Sequence, residues 1–239
     1  VSKLQHEFRT IRQVQSGGIL LDRPLDFPHL GARDADGKLM YLPVIANLSR
    51  SIVFRSENPT GTRAHGFFNE RADVEISGAS FLDMGRTTNE PIDDTVKDAA
   101  GKVVKVGTNQ RGRYAVHFHH CMGLPPSMPP RDYQFRCVNN VIWSQAPASR
   151  WGITVHHSHY GLVQDNVIVT VGGSGIVTED GNEVGNVFQG NYVANVTGES
   201  RPDARQNEIA FEGVAYWFRG GNNRVINNHA YSCQIGYSH

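Results

Sequence analysis

The stretch Gly161-Leu-Val-Gln-Asp-Asn-Val-Ile168 decides the fold, because its pattern recurs elsewhere in the chain. In each copy a short apolar run leads into an Asn-containing pair, and a second apolar run follows. The other copies occupy residues 135–142, 185–193 and 223–230. Repeats with a period of about 20 to 50 residues are typical of solenoids, in which each coil buries its apolar face against the next.

A second set of apolar runs lies between these copies and also aligns with itself, at residues 114–119, 151–156, 175–179, 208–212 and 234–238. Two alternating strand registers predict an all-β chain folded as a right-handed parallel β-helix, with coils about 4.8 Å apart. A β-sandwich is the alternative, but its strands need not align with one another in sequence. The Asn pairs fit the turns, where Asn tolerates the left-handed conformation and stacked Asn side chains form ladders.

The repeat predicts a single β-helix domain over residues 1–239, with irregular coils over 1–110 and regular coils over 111–239. We expect this domain to be part of a longer protein. Residues 86–113 and the proline-rich segment 122–131 interrupt the repeat as two long insertions. Insertions in a solenoid are loops on one side, and such loops commonly wall a binding groove.

The composition excludes several classes of function. Lys and Arg total 23 against 23 Asp and Glu, which argues against a polybasic nucleic-acid binder. No apolar stretch approaches the roughly 18 residues of a membrane-spanning helix. We therefore expect a soluble, folded chain with no nucleic-acid partner and no membrane span; the sequence does not indicate an oligomeric state.

Alternation along the second set of strands places one polar column on the outer face. It reads His119, His156, Glu179 and Glu212, with His117 beside its first member. Side chains on neighbouring strands can converge on one ion, and imidazole with carboxylate suits zinc, manganese, iron or copper better than calcium. Alternatively, Glu179 and Glu212 form the close carboxyl pair of a retaining glycosidase, about 5 to 5.5 Å apart. A merely polar outer face is the third interpretation.

The candidate residues fall into three roles. The candidate metal ligands are His117, His119, His156 and Glu179. The candidate catalytic residues are Glu179, Asp180, Glu212, Arg113 and Tyr114. Arginines beside the insertions suit the carboxylates of an acidic polysaccharide, and aromatic side chains suit sugar stacking. The candidate substrate-binding residues are Arg86, Arg111, Arg150 and Trp151, with Arg131 in the proline-rich insertion.

Several motifs resemble the β-helix region of the hyaluronan-depolymerising family, which includes the cell-migration-inducing hyaluronan-binding protein, the transmembrane hyaluronidase and fibrocystin-like proteins. The motifs are Arg113-Tyr-Ala-Val-His-Phe-His119, Thr154-Val-His156, Thr178-Glu-Asp-Gly-Asn-Glu183 and Phe81-Leu-Asp-Met-Gly-Arg-Thr-Thr88. By position, five residues match the family's recurring polar positions: His117, His119, His156, Glu179 and Asp180. Asp83, Arg86 and Arg113 match its flanking positions. The His157 and His159 turn and the proline-rich loop depart from the vertebrate members, which indicates a bacterial or environmental relative.

The resemblance implies an extracellular or exported setting and the binding or cleavage of a glycan. Together with the polar column, it predicts metal-dependent cleavage of an acidic, hyaluronan-like polysaccharide in a groove on the outer face. Two alternatives remain open. One is a non-catalytic glycan-binding or structural ectodomain module, and the other is a copper redox enzyme that acts on a polysaccharide.

Overall fold

The computed structural model describes residues 5–87, 91–123, 127, 132–145, 148–199 and 208–239. The chain divides into two compact units, Val1–Ala46 and Asn47–His239. That the whole chain forms a single β-helix domain remains a prediction. Arg131 and nearly all of the proline-rich insertion lie outside the described residues.

The first unit contains two short antiparallel ribbons. In one, β1 (Ile11–Gln15) pairs with β2 (Gly18–Leu21) across a turn at Gly17, whose φ of 85° favours glycine. In the other, β3 (Ala32–Arg33) pairs with β4 (Leu39–Tyr41).

The second unit is a parallel β-helix whose coils visit three faces in turn. The first face stacks β6 (Gly66–Asn69), β11 (Val116–His119), β14 (Ser149–His156), the end of β16 (Val167–Thr178), β19 (Val214–Phe218) and β22 (Ile235–Ser238). The second stacks β7 (Val74–Ser77), β12 (Phe135–Val138), β15 (Gly161–Gln164), β17 (Val187–Gln189) and β20 (Arg224–Ile226). The third stacks β5 (Ile52–Arg55), β8 (Ala79–Leu82), β13 (Val141–Trp143), the start of β16, β18 (Tyr192–Val196) and β21 (His229–Cys233). Parallel pairing therefore begins well before residue 110.

The parallel β-helix is confirmed, but its coils have three faces where the sequence suggested two alternating registers. Each copy of the Asn-containing repeat holds two strands, one on the second face and one on the third, and the Asn pair is the corner between them. In that pair the first residue takes a left-handed conformation, with φ of 56° at Asn139 and 53° at Asp165. Asn and Asp adopt this conformation more readily than other side chains.

The second residue of each corner forms a ladder that runs along the helix. Asn166 Oδ1 accepts from the Asn140 backbone N–H at 3.0 Å and from its Nδ2 at 3.1 Å, while Asn191 Oδ1 accepts the equivalent pair from Asn166, both at 3.0 Å. Asn228 Oδ1 accepts the same pair of hydrogen bonds from Asn191, both at 2.9 Å. The three upstream residues, Asn140, Asn166 and Asn191, are fully buried. The ladder thus satisfies corner polar groups that water does not reach.

Asn191→Ala is expected to lower the free energy of unfolding by about 2 to 4 kcal/mol, because it leaves the Asn166 N–H and the Val163 carbonyl without their partners. Asn228→Ala should cost less, since Asn228 is only half-buried and water can replace its amide. Urea unfolding of the two variants beside wild type measures the difference. Equal losses would show that burial of the ladder does not set its contribution.

Alternation on the first face divides core from outer surface as predicted. Val116, Phe118, Ile153, Val155 and Ile176 point inward and belong to the main core. Two outward residues of the same strands are also buried, with His117 1% and Thr154 0% exposed. A second, smaller cluster lies on this outer side, formed by Tyr114, Trp151, Val177 and Ala210. The outer face is therefore covered, in part by the 86–113 insertion, which contains the ribbon of β9 (Val96–Lys97) and β10 (Val103–Lys105).

The register predicted for the last two coils is wrong. The strand that pairs with β16 is β19, with Thr178 opposite Phe218, so residues 208–212 are not in the stack. In β22, Tyr237 aligns with Tyr216 and so with Ile176, a slip of two residues from the sequence alignment. A slip of two preserves the inward and outward alternation, which is why the apolar pattern did not reveal it.

The described residues contain no helix with the length and apolar character needed to cross a membrane.

Candidate metal and carboxylate site

A pocket of about 580 Å³ lies on the outer side of the first face. Its lining combines the histidines and Glu179 of the predicted polar column with residues of the 86–113 insertion and of the segment before β19. The lining residues are Phe67, Arg86, Ile92, Arg111, Gly112, Tyr114, His117, His119, Arg150, Trp151, His156, Glu179, Glu208 and Ile209. The prediction that the first insertion walls a groove is confirmed.

His117 presents a neutral nitrogen to this pocket. Its Nδ1–H donates to the Gly112 carbonyl at 2.8 Å, which leaves the lone pair on Nε2. Burial lowers the pKa of His117 to about 3. Nε2 is buried and has no hydrogen-bond partner among the described residues. A buried, unprotonated imidazole nitrogen without a partner is suited to bind a metal ion.

Glu179 follows the last residue of β16, on the rung next to His156. Its backbone N–H donates to the Val155 carbonyl at 3.0 Å, and its Oε1 accepts from the Tyr114 hydroxyl at 3.2 Å. Burial raises the pKa of the Tyr114 phenol, so the hydroxyl keeps its proton and donates. Burial, reinforced by the neighbouring Asp180, also raises the pKa of Glu179 to about 7. Glu179 Oε2 is buried without a hydrogen-bond partner in the described parts of the chain.

His156 completes a three-residue group with His117 and Glu179. The pairing of β11 with β14 places His119 opposite His156, and the next rung carries Glu179. His156 Nδ1 lies 3.4 Å from Glu179 Oε2. One ligand atom from each of His117, His156 and Glu179 lies within 4.8 Å of the others. Two imidazoles and a carboxylate with a position left open to a pocket form the ligand set typical of catalytic zinc and related ions.

His119 does not converge with this group and instead forms another one with His120 and His156. His119 Nδ1 lies 3.1 Å from Asn69 Oδ1, which can only accept, so the Nε2 lone pair is free. Burial and the neighbouring imidazoles lower the pKa of His119 to about 4. Its ring is therefore neutral, and its role as a ligand stays a prediction.

Two buried arginines form the opposite wall. The Arg86 carbonyl accepts from the Arg150 backbone N–H at 2.8 Å, which holds the insertion against β14. Both guanidinium groups bind one carboxylate, with Arg86 Nη2 2.9 Å and Arg150 Nη2 3.1 Å from Glu208 Oε2. In each arginine, Nε and Nη1 are buried and have no hydrogen-bond partner among the described residues. Buried donors of this kind can receive the carboxylate of a ligand.

Other predicted residues occupy different settings. Arg111 lines the pocket but is exposed, and its backbone N–H donates to Asp94 at 2.8 Å. Arg113 is not among the described residues that line the pocket. Trp151 is 2% exposed, donates from Nε1 to the Ala210 carbonyl at 2.9 Å, and stacks on Tyr114 at 4.4 Å. Its indole therefore packs in the pocket wall.

The placement of Glu212 in the polar column is wrong. Because Thr178 pairs with Phe218, the rung after Glu179 carries Arg219, whose Nη1 donates to the Glu179 carbonyl at 3.3 Å. Glu212 is exposed and precedes β19. The close carboxyl pair of a retaining glycosidase is therefore not formed by Glu179 and Glu212.

Two positions that shape the site are not among the predicted site residues. Glu208 lies in the 208–212 run that aligns with the strands, and this alignment gives no sign that it is the partner of two buried arginines. Glu183 is fully buried and receives three backbone N–H groups, from His157 and Asp180 through Oε1, both at 3.0 Å, and from Gly181 through Oε2 at 2.8 Å. This carboxylate fixes the turn that carries His157 and Asp180.

Comparison with known proteins gives one family match and several relatives. The model of the CEMIP beta-helix matches residues 99–239. Fibrocystin-L of Mus musculus is 26% identical over 96% of this chain, and fibrocystin-L of Homo sapiens is 24% identical over 95%. The G8 domain-containing protein DDB_G0288475 of Dictyostelium discoideum is 26% identical over 85%. The chain spans only 6% of each fibrocystin-L and 15% of the Dictyostelium protein. No solved structure matches it.

Proposed function

The chain belongs to the CEMIP beta-helix family, and on that premise we propose that its outer-face pocket carries out metal-dependent cleavage of an acidic, hyaluronan-like polysaccharide. The observation that carries the proposal is that two buried ligand atoms without a hydrogen-bond partner in the described residues, His117 Nε2 and Glu179 Oε2, belong to residues that line one pocket together with Arg86 and Arg150. An extracellular or exported setting is part of the same proposal.

The metal half of the proposal rests on His117, His156 and Glu179. The Gly112 carbonyl fixes the tautomer of His117, and the Tyr114 hydroxyl orients Glu179 by its other oxygen. Hydrogen bonds of this kind aim ligands at a metal. A bound divalent ion would polarise a glycan oxygen and activate water at neutral pH. A transition-type ion such as zinc, manganese, iron or copper fits these donors better than calcium.

The substrate half rests on the arginine wall. Two guanidinium groups share the carboxylate of Glu208, and the buried Nε and Nη1 donors of both arginines have no hydrogen-bond partner among the described residues. A uronic acid carboxylate can accept from such donors in a bidentate way. Burial lowers the pKa of Arg150 to about 10, so it is still charged at neutral pH. A neutral sugar cannot make this charge-assisted contact, and we expect an acidic glycan to be preferred.

The test compares metal-stripped and reconstituted protein on two labelled glycans of equal length, a hyaluronan oligosaccharide and a neutral chitin oligosaccharide. We expect no product from the stripped chain, restored hyaluronan cleavage with one of the four metals, and little cleavage of chitin. Separation of the labelled products by size measures all three.

Each contrary outcome identifies a different error. Cleavage that persists in the presence of chelator contradicts the metal half. Hyaluronan binding without product for every metal supports a non-catalytic glycan-binding module. Product that requires a reductant or oxygen supports a copper redox enzyme.

A further inference from the structure

We propose that the turn residues His157 and Asp180, together with His156, form a second divalent-cation site on the outer rim of the pocket. We call it the outer site, and we call the group of His117, His156 and Glu179 the inner site. The proposal rests on the proposed function in one respect, because His156 belongs to both sites.

His156 faces a different carboxylate from each of its ring nitrogens. Nδ1 lies 3.4 Å from Glu179 Oε2, and Nε2 lies 2.8 Å from Asp180 Oδ2. The two nitrogens of imidazole point in nearly opposite directions, so the two carboxylates lie on opposite sides of the ring. One ring can therefore serve two ions, one in each site, once the neutral imidazole has released its single N–H proton to solvent and each nitrogen binds one ion.

The outer site has three donor atoms directed at one another. Asp180 Oδ2 lies 2.8 Å from His156 Nε2 and 3.2 Å from His157 Nε2. One ligand atom from each of the three residues lies within 4.8 Å of the other two. Their side chains are 22%, 35% and 33% exposed for His156, His157 and Asp180, so water can complete the coordination. Two imidazoles and a carboxylate suit zinc, copper or manganese.

The backbone holds this arrangement in place. His157 has a φ of 45°, a left-handed conformation that turns its side chain out of the strand direction at the end of β14. The buried Glu183 carboxylate binds the backbone N–H of both His157 and Asp180. The amide of Asn182 contacts His157 Nδ1 at 3.0 Å, and a flip of that amide would let it accept from Nδ1–H while Nε2 binds an ion. A buried carboxylate therefore holds the turn that carries the outer ligands, and a cation site needs this kind of preorganisation.

The experiment measures Cu²⁺ stoichiometry and electron paramagnetic resonance on the full 239-residue chain. Wild type is expected to bind two equivalents, with reduced signal per copper because two ions on one imidazole ring couple magnetically. The outer variant, Asp180→Asn with His157→Ala, is expected to bind one ion with full signal intensity. Glu179→Gln with His117→Ala should retain only the outer ion, and His156→Ala should weaken both. His229→Ala, at an exposed histidine outside both sites, is the matched control.

The outcomes separate this proposal from the proposed function. The outer site is overturned by a single ion that survives in the outer variant, by two ions that give uncoupled signals, or by two ions that persist in the outer variant. A single ion that the outer variant loses contradicts the inner site and the metal half of the proposed function. A single ion that survives in the outer variant leaves the inner site and the proposed function intact, whereas no bound ion contradicts both. Asp180→Asn alone, which preserves the size of the side chain, provides the same readout if the double variant does not fold.

Discussion

Glu179→Gln is expected to lower the rate of hyaluronan cleavage by about 10²-fold or more, whereas Glu212→Gln should leave the rate within about twofold of wild type. Mutation of a residue that only hydrogen-bonds a metal ligand lowers metal affinity or activity by about 10- to 100-fold. Mutation of a ligand itself should lower activity by at least as much. The substitution preserves the volume of the side chain, and the side-chain carbonyl of the introduced glutamine can still accept from the Tyr114 hydroxyl.

Glu212→Gln is the control because the sequence alone predicts both glutamates in the polar column. If they formed the acid and nucleophile of a retaining glycosidase, each substitution would abolish cleavage. In the structure, Glu179 is half-buried and lines the pocket, whereas Glu212 is exposed on the approach to β19. Initial rates on labelled hyaluronan, with metal content measured in the same samples, distinguish the two interpretations. A large loss in both variants would restore the carboxyl pair, and a loss in neither would remove Glu179 from the reaction.

The register of the polar column could be predicted where the apolar pattern is strong. Phe118 and Val155 align because both are inward residues of regular coils, and this alignment fixes His119 beside His156. The same reasoning failed after Glu179, since residues 208–212 imitate a strand with an alternating apolar pattern but lie on the outer side of the helix. Ala210 packs there against the pocket wall, in the cluster that contains Trp151. Alternation reports that one side of a segment is buried, and it does not report which surface buries it.

The corners were predictable in type, since Asn pairs favour turns and ladders, and the described ladder from Asn140 to Asn228 agrees. The pairing of Arg86 with Glu208 was not predictable, because a contact over 122 residues of separation depends on how the insertion folds back. Glu183 was hidden for another reason. Its role comes from backbone N–H groups that converge in the turn, and backbone geometry leaves little trace in residue types.

Glu183→Ala is expected to be among the most destabilising single substitutions in the helix, with a loss of about 3 kcal/mol or more in the free energy of unfolding. It removes the acceptor for the N–H groups of His157, Asp180 and Gly181, and each buried N–H left without a partner costs about 1 to 3 kcal/mol. Water that enters the space left by the side chain would recover part of this loss. Urea unfolding measures the change, with Glu212→Ala as the control at an exposed carboxylate.

Glu183→Gln tests whether the charge or the shape of this side chain matters. The introduced amide retains one acceptor oxygen, but its NH₂ group must face at least one backbone N–H, so two donors oppose each other. We therefore expect a loss between those of Glu183→Ala and wild type, together with weaker binding at the outer site, because the turn no longer holds His157 and Asp180 at a common position. If Glu183→Gln were as stable as wild type, the three N–H groups would be satisfied without the carboxylate, and the turn would owe its shape to the left-handed residues His157 and Gly181 alone.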